Sequence, residues 1–279
     1  MNSLNKPKPD TWKSLSKYSD NYVAEPKLDG ERCTMQNING KIELIRDGGK
    51  VKNANYPELL NISIPEGTVL DGEICIPKND FYADFVSFQS RMNLLDPMKI
   101  NQYITNPSLA PKYTVSFVAF DVLQNKFENV TEKTWTQRRA ILEKVVIPTE
   151  RLKLIQCFQP SELFPQIKKY NMEGMVLKPK NSTYSKNWIK MKNMVEKDFL
   201  VTGYITSEKR LISTICITNT DGNDMGNVTY FGPNFPQTKE AAENLKGKIA
   251  VVQFLNSGCK NKPRHPVLKE LRDNNNNSN

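Results

Sequence analysis

The sequence predicts an α+β fold in which antiparallel sheets come first and a small β-barrel follows. Short β-branched and aromatic segments separated by tight turns fill much of the region from Tyr22 to Leu123. Two segments of helical periodicity follow at 134–146 and 161–171. From about Asp198 short strands return at close spacing, which indicates a second domain.

The strands of the first part are marked by composition and turns. Asn39-Gly40 lies between two extended runs, which predicts a β-hairpin. The segments 67–76 and 113–123 are largely apolar and β-branched, and they predict buried strands. In the second helical segment Ser161 is the expected N-cap. Two further strands are expected at 173–179 and 187–192.

The C-terminal part contains four strand-like segments and a helical segment at 238–248. This pattern suits a small β-barrel such as an OB-fold. Residues 1–19 are polar and predict a lead-in arm, and the Asn-rich end predicts a disordered tail.

Composition narrows the function. The formal charge of +9, from 39 basic and 30 acidic residues, favours a polyanionic partner such as nucleic acid, although a merely basic soluble protein has the same charge. One histidine and five scattered cysteines argue against a Ser-His-Asp hydrolase, a zinc site and a disulfide framework. No apolar run of membrane-spanning length or signal-peptide segment is present, so an intracellular location is expected.

Lys27 lies at the end of a predicted strand, directly before a sharp Leu-Asp-Gly turn. A lysine held in this way can act as a nucleophile if burial or neighbouring cations lower its pKa. Taken alone, the short pattern favours a surface lysine beside a turn, because Asp-Gly is common.

Six further motifs follow Lys27 in order along the chain. They are LIRDGG (44–49), LDGEI (70–74), FVAFDVL (117–123), EGMVLK (173–178), WIKMK (188–192) and PRHPVLKELRDN (263–274). With EPKLDGERC (25–33), this ordered set resembles the covalent nucleotidyltransferases, and among them the small viral and phage ATP-dependent DNA ligases. The resemblance implies a nucleotidyltransferase (adenylation) domain at 1–195, an OB-fold at 196–273 and a tail at 274–279.

The resemblance also implies catalytic roles. Lys27 would become lysyl-AMP, and Lys190 with Lys192 would contact the α-phosphate and depress the pKa of Lys27. Glu173 would hold a divalent metal, Mg²⁺ or alternatively Mn²⁺, since carboxylates and phosphate oxygens suit these ions. Glu73 would contact the ribose or the metal, and the sequence leaves both roles open.

The nucleotide-binding residues follow in the same way. Glu25 would accept a hydrogen bond from the adenine amino group, which favours ATP over GTP. Phe120 would stack on adenine and Val176 would close its other face, although an aromatic in this strand also fits a core position. Arg32 would engage the ribose and the nick end.

Three further arginines receive phosphate roles. Arg46 would bind the 5′-phosphate, because a guanidinium matches phosphate geometry. Arg264 and Arg272 would orient the pyrophosphate of ATP. The basic segment 255–272 is alternatively a DNA-binding strip.

The expected function is therefore ATP-dependent sealing of 3′-OH/5′-phosphate nicks in duplex DNA by a monomer. An RNA ligase or an mRNA-capping guanylyltransferase of the same superfamily is the nearest alternative. A non-catalytic nucleic-acid-binding protein would explain the charge and the barrel, but it would leave the ordered lysines and carboxylates unexplained.

Overall fold

The computed structural model describes residues 8–10, 18, 20–207, 210–229, 238–255 and 262–274. Contacts divide the chain into a first unit, Met1–Lys192, and a second unit, Asn193–Asn279. The strands are β1 (Lys8–Asp10), β2 (Tyr22–Pro26), β3 (Glu31–Ile38), β4 (Lys41–Arg46), β5 (Val69–Cys75), β6 (Ser116–Asn125), β7 (Glu128–Asn129), β8 (Leu152–Leu154), β9 (Gly174–Pro179), β10 (Ile189–Lys192), β11 (Met194–Ser207), β12 (Arg210–Thr218), β13 (Asp224–Thr229), β14 (Ile249–Leu255) and β15 (Arg264–Arg272). The helices are α1 (Phe85–Met92), α2 (Pro97–Thr105), α3 (Ala110–Tyr113), α4 (Trp135–Val145), α5 (Pro160–Lys169) and α6 (Lys239–Glu243).

The first unit is built on two sheets. One has four strands in the order β1-β10-β9-β2, and the other has the order β4-β3-β5-β6-β7 with β8 beside β6. Most neighbours are antiparallel, so the predicted antiparallel sheets are confirmed, while β1–β10 and β6–β8 are parallel pairs. Part of the predicted N-terminal arm is thus a strand, and most of the rest of that arm lies outside the described residues.

The predicted hairpin joins β3 to β4. Asn39 and Gly40 have φ values of 52° and 74°, and a two-residue type I′ turn requires positive φ at both positions. The hairpin fixes the β3–β4 register, in which Cys33 lies opposite Arg46.

Helix ends follow local capping chemistry. The predicted helix at 134–146 is observed as α4, where Thr134 and Gln137 form a capping box. The predicted N-cap at Ser161 is wrong: Gln159 caps α5 in a reciprocal arrangement with Glu162. Helices α1, α2 and α3 occupy 85–113, where the sequence predicts no helix.

Two glycines allow close backbone approach. A Cβ on Gly30 would lie 2.2 Å from the carbonyl oxygen of Ile74. Gly174 has φ +148°, and a Cβ there would lie 2.0 Å from the carbonyl oxygen of Met191. These contacts require glycine three residues after Lys27 and directly after Glu173.

The second unit is a five-stranded sheet in the order β13-β12-β11-β14-β15, with α6 between β13 and β14 in sequence. Within the described residues no backbone ladder joins β13 to β15, so the predicted barrel is not closed. Both edge strands are poorly suited to pair with a further strand. Gly226 in β13 has positive φ, and Pro266 in β15 lacks an N–H.

The described helices include none with the length and apolar character that crossing a bilayer demands.

Candidate active site

A cavity of about 310 Å³ lies between the two sheets of the first unit. Strands β2, β9 and β10 supply residues from one sheet, and β3, β5 and β6 supply residues from the other. Seven residues singled out from the sequence line it: Glu25, Lys27, Arg32, Glu73, Phe120, Val176 and Lys190. Residues up to 165 positions apart in sequence therefore meet at one site.

Lys27 follows β2 and is fixed at both ends. Its backbone N–H donates to the carbonyl oxygen of Gly174 at 2.9 Å. Its Nζ lies 2.6 Å from Oε2 of Glu173, and the two side chains are 25% and 5% exposed. The amine is thus held by the carboxylate of Glu173, the residue directly before β9, which is the strand paired with β2.

This arrangement corrects the expected electrostatics of Lys27. Burial alone would lower the pKa of its amine, but the carboxylates of Glu173, Glu73 and Asp29 outweigh burial and raise the pKa above 10.5. The expected net lowering of the Lys27 pKa is therefore wrong.

Glu73 and Arg32 lie opposite each other on β5 and β3. Burial raises the pKa of Glu73 to about 8, with Glu173 and Asp29 adding to the shift. Arg32 donates to both carboxylate oxygens of Asp71, at 3.1 and 2.7 Å. Tyr184 accepts from Arg32 at 3.0 Å and donates to Asp71 at 2.7 Å, so the guanidinium is rigidly held.

Glu25 is buried against Lys178, with 2.7 Å between Oε2 and Nζ. Burial raises the pKa of Glu25, although Lys178 opposes this shift. Lys178 also donates to the carbonyl oxygen of Phe120 at 2.9 Å and lies 4.1 Å from the Trp188 ring centroid. The amine of Lys178 is therefore surrounded by acceptors and aromatic faces.

The cavity lining also includes three residues that were not predicted from the sequence: Lys178, Trp188 and Ile155. Lys178 and Trp188 lie inside two quoted motifs, and a period of two relates Val176 to Lys178 on β9. That alternation was the available signal for Lys178. No comparable sequence signal marks Ile155.

The remaining candidates lie elsewhere. Lys192 ends β10 opposite Gly174 and does not line the cavity. Arg46 is on the β3–β4 hairpin beside Glu31, at 3.3 Å. Arg264 and Arg272 belong to β15 in the second unit, where Arg272 pairs with Asp198.

The cavity combines the amine of Lys27, the carboxyl group of Glu73 and a pair of apolar walls, and Glu173 contacts the amine without lining the cavity. Phe120 and Val176 come from different sheets and line the same space, which suits the two faces of a nucleobase. A fixed lysine beside carboxylates suits covalent transfer to an amine. Fold and site together define a covalent nucleotidyltransferase.

Comparison with known proteins names the family. Residues 3–192 match the model of the ATP dependent DNA ligase domain. The chain therefore belongs to the ATP-dependent DNA ligases, and the enzyme class predicted from the ordered motifs is confirmed.

Two curated proteins of Bacillus subtilis illustrate the range of relatives. The SPbeta prophage-derived DNA ligase-like protein LigB is 26% identical over 227 residues, which cover 79% of this chain and 77% of that protein. The bifunctional non-homologous end joining protein LigD is 28% identical over 207 residues, covering 64% of this chain and 33% of that protein. The chain thus spans only part of the larger relatives.

Solved structures share the fold. A Lig E DNA ligase structure superposes with a TM-score of 0.69 at 17% identity, covering 98% of this chain and 100% of the other. The ATP complex of the bacteriophage T7 ATP-dependent DNA ligase gives a TM-score of 0.51 at 16% identity, covering 97% and 98%.

Proposed function

We propose that this ligase seals 3′-OH/5′-phosphate nicks in duplex DNA through a lysyl-AMP and an adenylated-DNA intermediate. The observation that carries the proposal is the position of Lys27, with its Nζ 2.6 Å from Glu173 in a cavity shared with Glu73. Phe120 and Val176 enclose the adenine, and Glu25 accepts from its amino group. Lys178, 2.7 Å from the Glu25 carboxylate, opposes the rise in its pKa that burial causes.

Three displacements at phosphorus make up the reaction. The neutral amine of Lys27 attacks the α-phosphorus of ATP, a P–N bond forms and pyrophosphate leaves. The 5′-phosphate oxygen of the nick then attacks the same phosphorus, and the P–N bond breaks. The 3′-hydroxyl finally attacks the 5′-phosphorus, and AMP leaves. Because the reacting groups are anionic, positioned cations such as Arg32, Lys190 and Arg46 supply most of the stabilisation.

Lys27 must lose its proton before the first step. The Glu173 carboxylate accepts a hydrogen bond from the protonated amine and raises its pKa. Drawing Glu173 away from Lys27 therefore favours the nucleophilic form.

The oxygen donors of Glu173 and Glu73 suit Mg²⁺ or Mn²⁺. The described residues contain no group of three or more His, Cys, Asp or Glu that could hold a metal, so phosphate oxygens of the nucleotide would complete the coordination. A Mg²⁺ ion there would neutralise phosphate charge and compete with Lys27 for Glu173.

We assign residues 1–195 to the adenylation domain, 196–273 to an OB-fold and 274–279 to a tail. The OB-fold assignment is supported by five strands with a helix between the third and fourth, in a partly open sheet. Arg264 and Arg272 on its last strand would contact the ATP pyrophosphate. A monomeric state and an intracellular location stay predictions.

Labelling with α-³²P-ATP tests the proposal. Wild-type protein should form an acid-labile, base-stable protein–AMP adduct and then seal a 5′-phosphorylated nick, because a P–N bond to lysine has that stability. Lys27→Ala should abolish both activities, while Lys41→Ala, which removes an exposed lysine from the β3–β4 hairpin, should leave both unchanged. Sealing by Lys27→Ala would refute the covalent mechanism.

Substrate comparison separates the alternative enzymes. Labelling by GTP in place of ATP would indicate a guanylyltransferase. Faster sealing of nicked RNA than of nicked DNA would indicate an RNA ligase.

A further inference from the structure

Arg46 is held by a single edge of its guanidinium. Its Nε lies 3.3 Å from Oε1 of Glu31, and its side chain is 50% exposed. Among the described residues neither Nη group of Arg46 makes a hydrogen bond. The Nη edge is the pair of donors that matches two phosphate oxygens.

Glu31 is itself fixed on the protein side. Its carboxylate is 5% exposed, and Tyr56 donates to Oε2 at 2.8 Å. The buried amine of Lys52 lies 3.1 Å from Oε1. Tyr56 is fully buried, so the carboxylate has little freedom to move. Oε1 of this fixed carboxylate accepts no hydrogen bond from Nε, and the ion pair between them restricts the rotation of the half-exposed arginine.

The position of Glu31 separates it from the cavity. Glu31 lies one residue before Arg32, and neighbouring residues of a strand point to opposite faces. Cys33 and Met35, which share the parity of Glu31, are core residues of the helix-covered face. Glu31 does not line the nucleotide cavity.

We propose that Glu31 is a positioning residue that holds Arg46 by Nε and presents its Nη edge to the 5′-phosphate of the nick. This inference rests on the proposed function, because it requires that Arg46 contacts that phosphate. Tyr56 and Lys52 fix the carboxylate, and the carboxylate fixes the guanidinium. Glu31 acts on the recognition of the nick and leaves lysine adenylylation untouched.

The test compares binding of the full-length, AMP-charged protein to nicks that carry 5′-phosphate or 5′-hydroxyl. Wild type should prefer the phosphorylated nick, and Glu31→Gln should reduce this preference about threefold to tenfold. Labelling of Lys27 by ATP should stay within about twofold of wild type. Glu43→Gln is the matched control, since Glu43 is a carboxylate on the same hairpin that accepts from Gln36 and does not contact Arg46.

Two further variants distinguish positioning from stability. Lys52→Met removes one of the two groups that fix the Glu31 carboxylate but leaves the Glu31–Arg46 contact, so it should lower the melting temperature and reduce the phosphate preference less than Glu31→Gln does. Glu31→Asp keeps the charge but shortens its reach, so it should reduce the preference as Glu31→Gln does. If Glu31→Gln does not fold, Glu31→Asp carries the test.

Coupling to Arg46 decides the outcome. In an Arg46→Ala background, Glu31→Gln should cause no further loss of phosphate preference, because both changes remove the same contact. An unchanged preference in Glu31→Gln, or an additional loss in the Arg46→Ala background, would overturn the proposal. Failure of the wild type to take label from ATP would overturn the proposed function itself, and a labelled wild type without phosphate preference would overturn the role of Arg46.

Discussion

The tetrapeptide Leu-Asp-Gly-Glu occurs at 28–31 and at 70–73, and its last residue has opposite surroundings in the two copies. Glu73 lines the nucleotide cavity beside Lys27. Glu31 is buried on the other face of the same sheet, against Tyr56. The two strands pair with Arg32 opposite Glu73 and Glu31 opposite Ile74, so a shift of one residue exchanges the faces. Identical sequence therefore gives different chemistry when the strand register differs.

The aspartates differ as well. Asp71 accepts two hydrogen bonds from Arg32, the arginine that directly follows the first copy. Asp29 is buried near Lys27 and helps to raise the pKa of the lysine. Asp71 of the second copy thus holds Arg32, the residue directly after the first copy. Both segments contribute residues to the same cavity.

Exchanging the last residue of each copy for glutamine gives the largest expected contrast. Glu73→Gln should slow the labelling of Lys27 by ATP at least ~100-fold, because the group proposed to contact the ribose or the metal loses its acidic oxygen. Glu31→Gln should stay within about twofold. Rapid-quench labelling at saturating ATP and Mg²⁺ measures both rates. Equal rates in the two variants would remove the distinction between the copies.

Asp71→Asn should have an intermediate effect. Arg32 would lose a charged partner that binds it through two donors, and we expect nick sealing to fall roughly 10- to 30-fold. Asp121→Asn is the matched control, since Asp121 binds the buried Arg138 through the same two-donor geometry at 2.7 and 3.0 Å.

Both aspartate variants should melt at lower temperature. The sealing defect should be larger for Asp71→Asn, because Arg32 lines the cavity and Arg138 does not. Sealing defects that simply follow the loss of melting temperature would assign Asp71 to stability alone.

The smallest predicted effect is the pH dependence of the stability of the folded protein. Burial raises the pKa of Glu73 from 4.5 to about 8, so the folded protein binds this proton more tightly than the unfolded chain. The corresponding stability is present below pH 4.5 and is lost as pH rises to about 8. Glu73→Gln avoids this loss and should melt above wild type at pH 9, with no difference near pH 4.5. Thermal denaturation across this range measures the gap, and a gap independent of pH would contradict the assignment.

Much of the first unit could be predicted because its signals are local. Asn39-Gly40 fixed the hairpin, and strand composition located β5 and β6. Helices α1 and α2 were missed because they are short, although Asp84 and Asp96 cap them and provide a readable start signal. The N-cap of α5 was misplaced because Gln159 is a less usual cap than the serine that follows Pro160.

The cavity itself was only partly predictable. Ordered motifs identified Lys27, Glu73 and Phe120, because each motif marks its own segment. The ion pair between Lys27 and Glu173 joins residues 146 positions apart, and local patterns do not reveal such contacts or the sign of the lysine pKa shift. The buried partners of Arg46 and Arg32 depend on strand register in the same way.

The ion pair of Lys27 and Glu173 also bears on the chemical stability of the reactive lysine. A protonated amine does not react with aldehydes, cyanate or stray acyl phosphates, since only the neutral form is nucleophilic. With its carboxylate partner 2.6 Å away, the reactive lysine is chemically masked for as long as the ion pair persists. The same contact that must be broken for catalysis protects the resting enzyme from covalent damage.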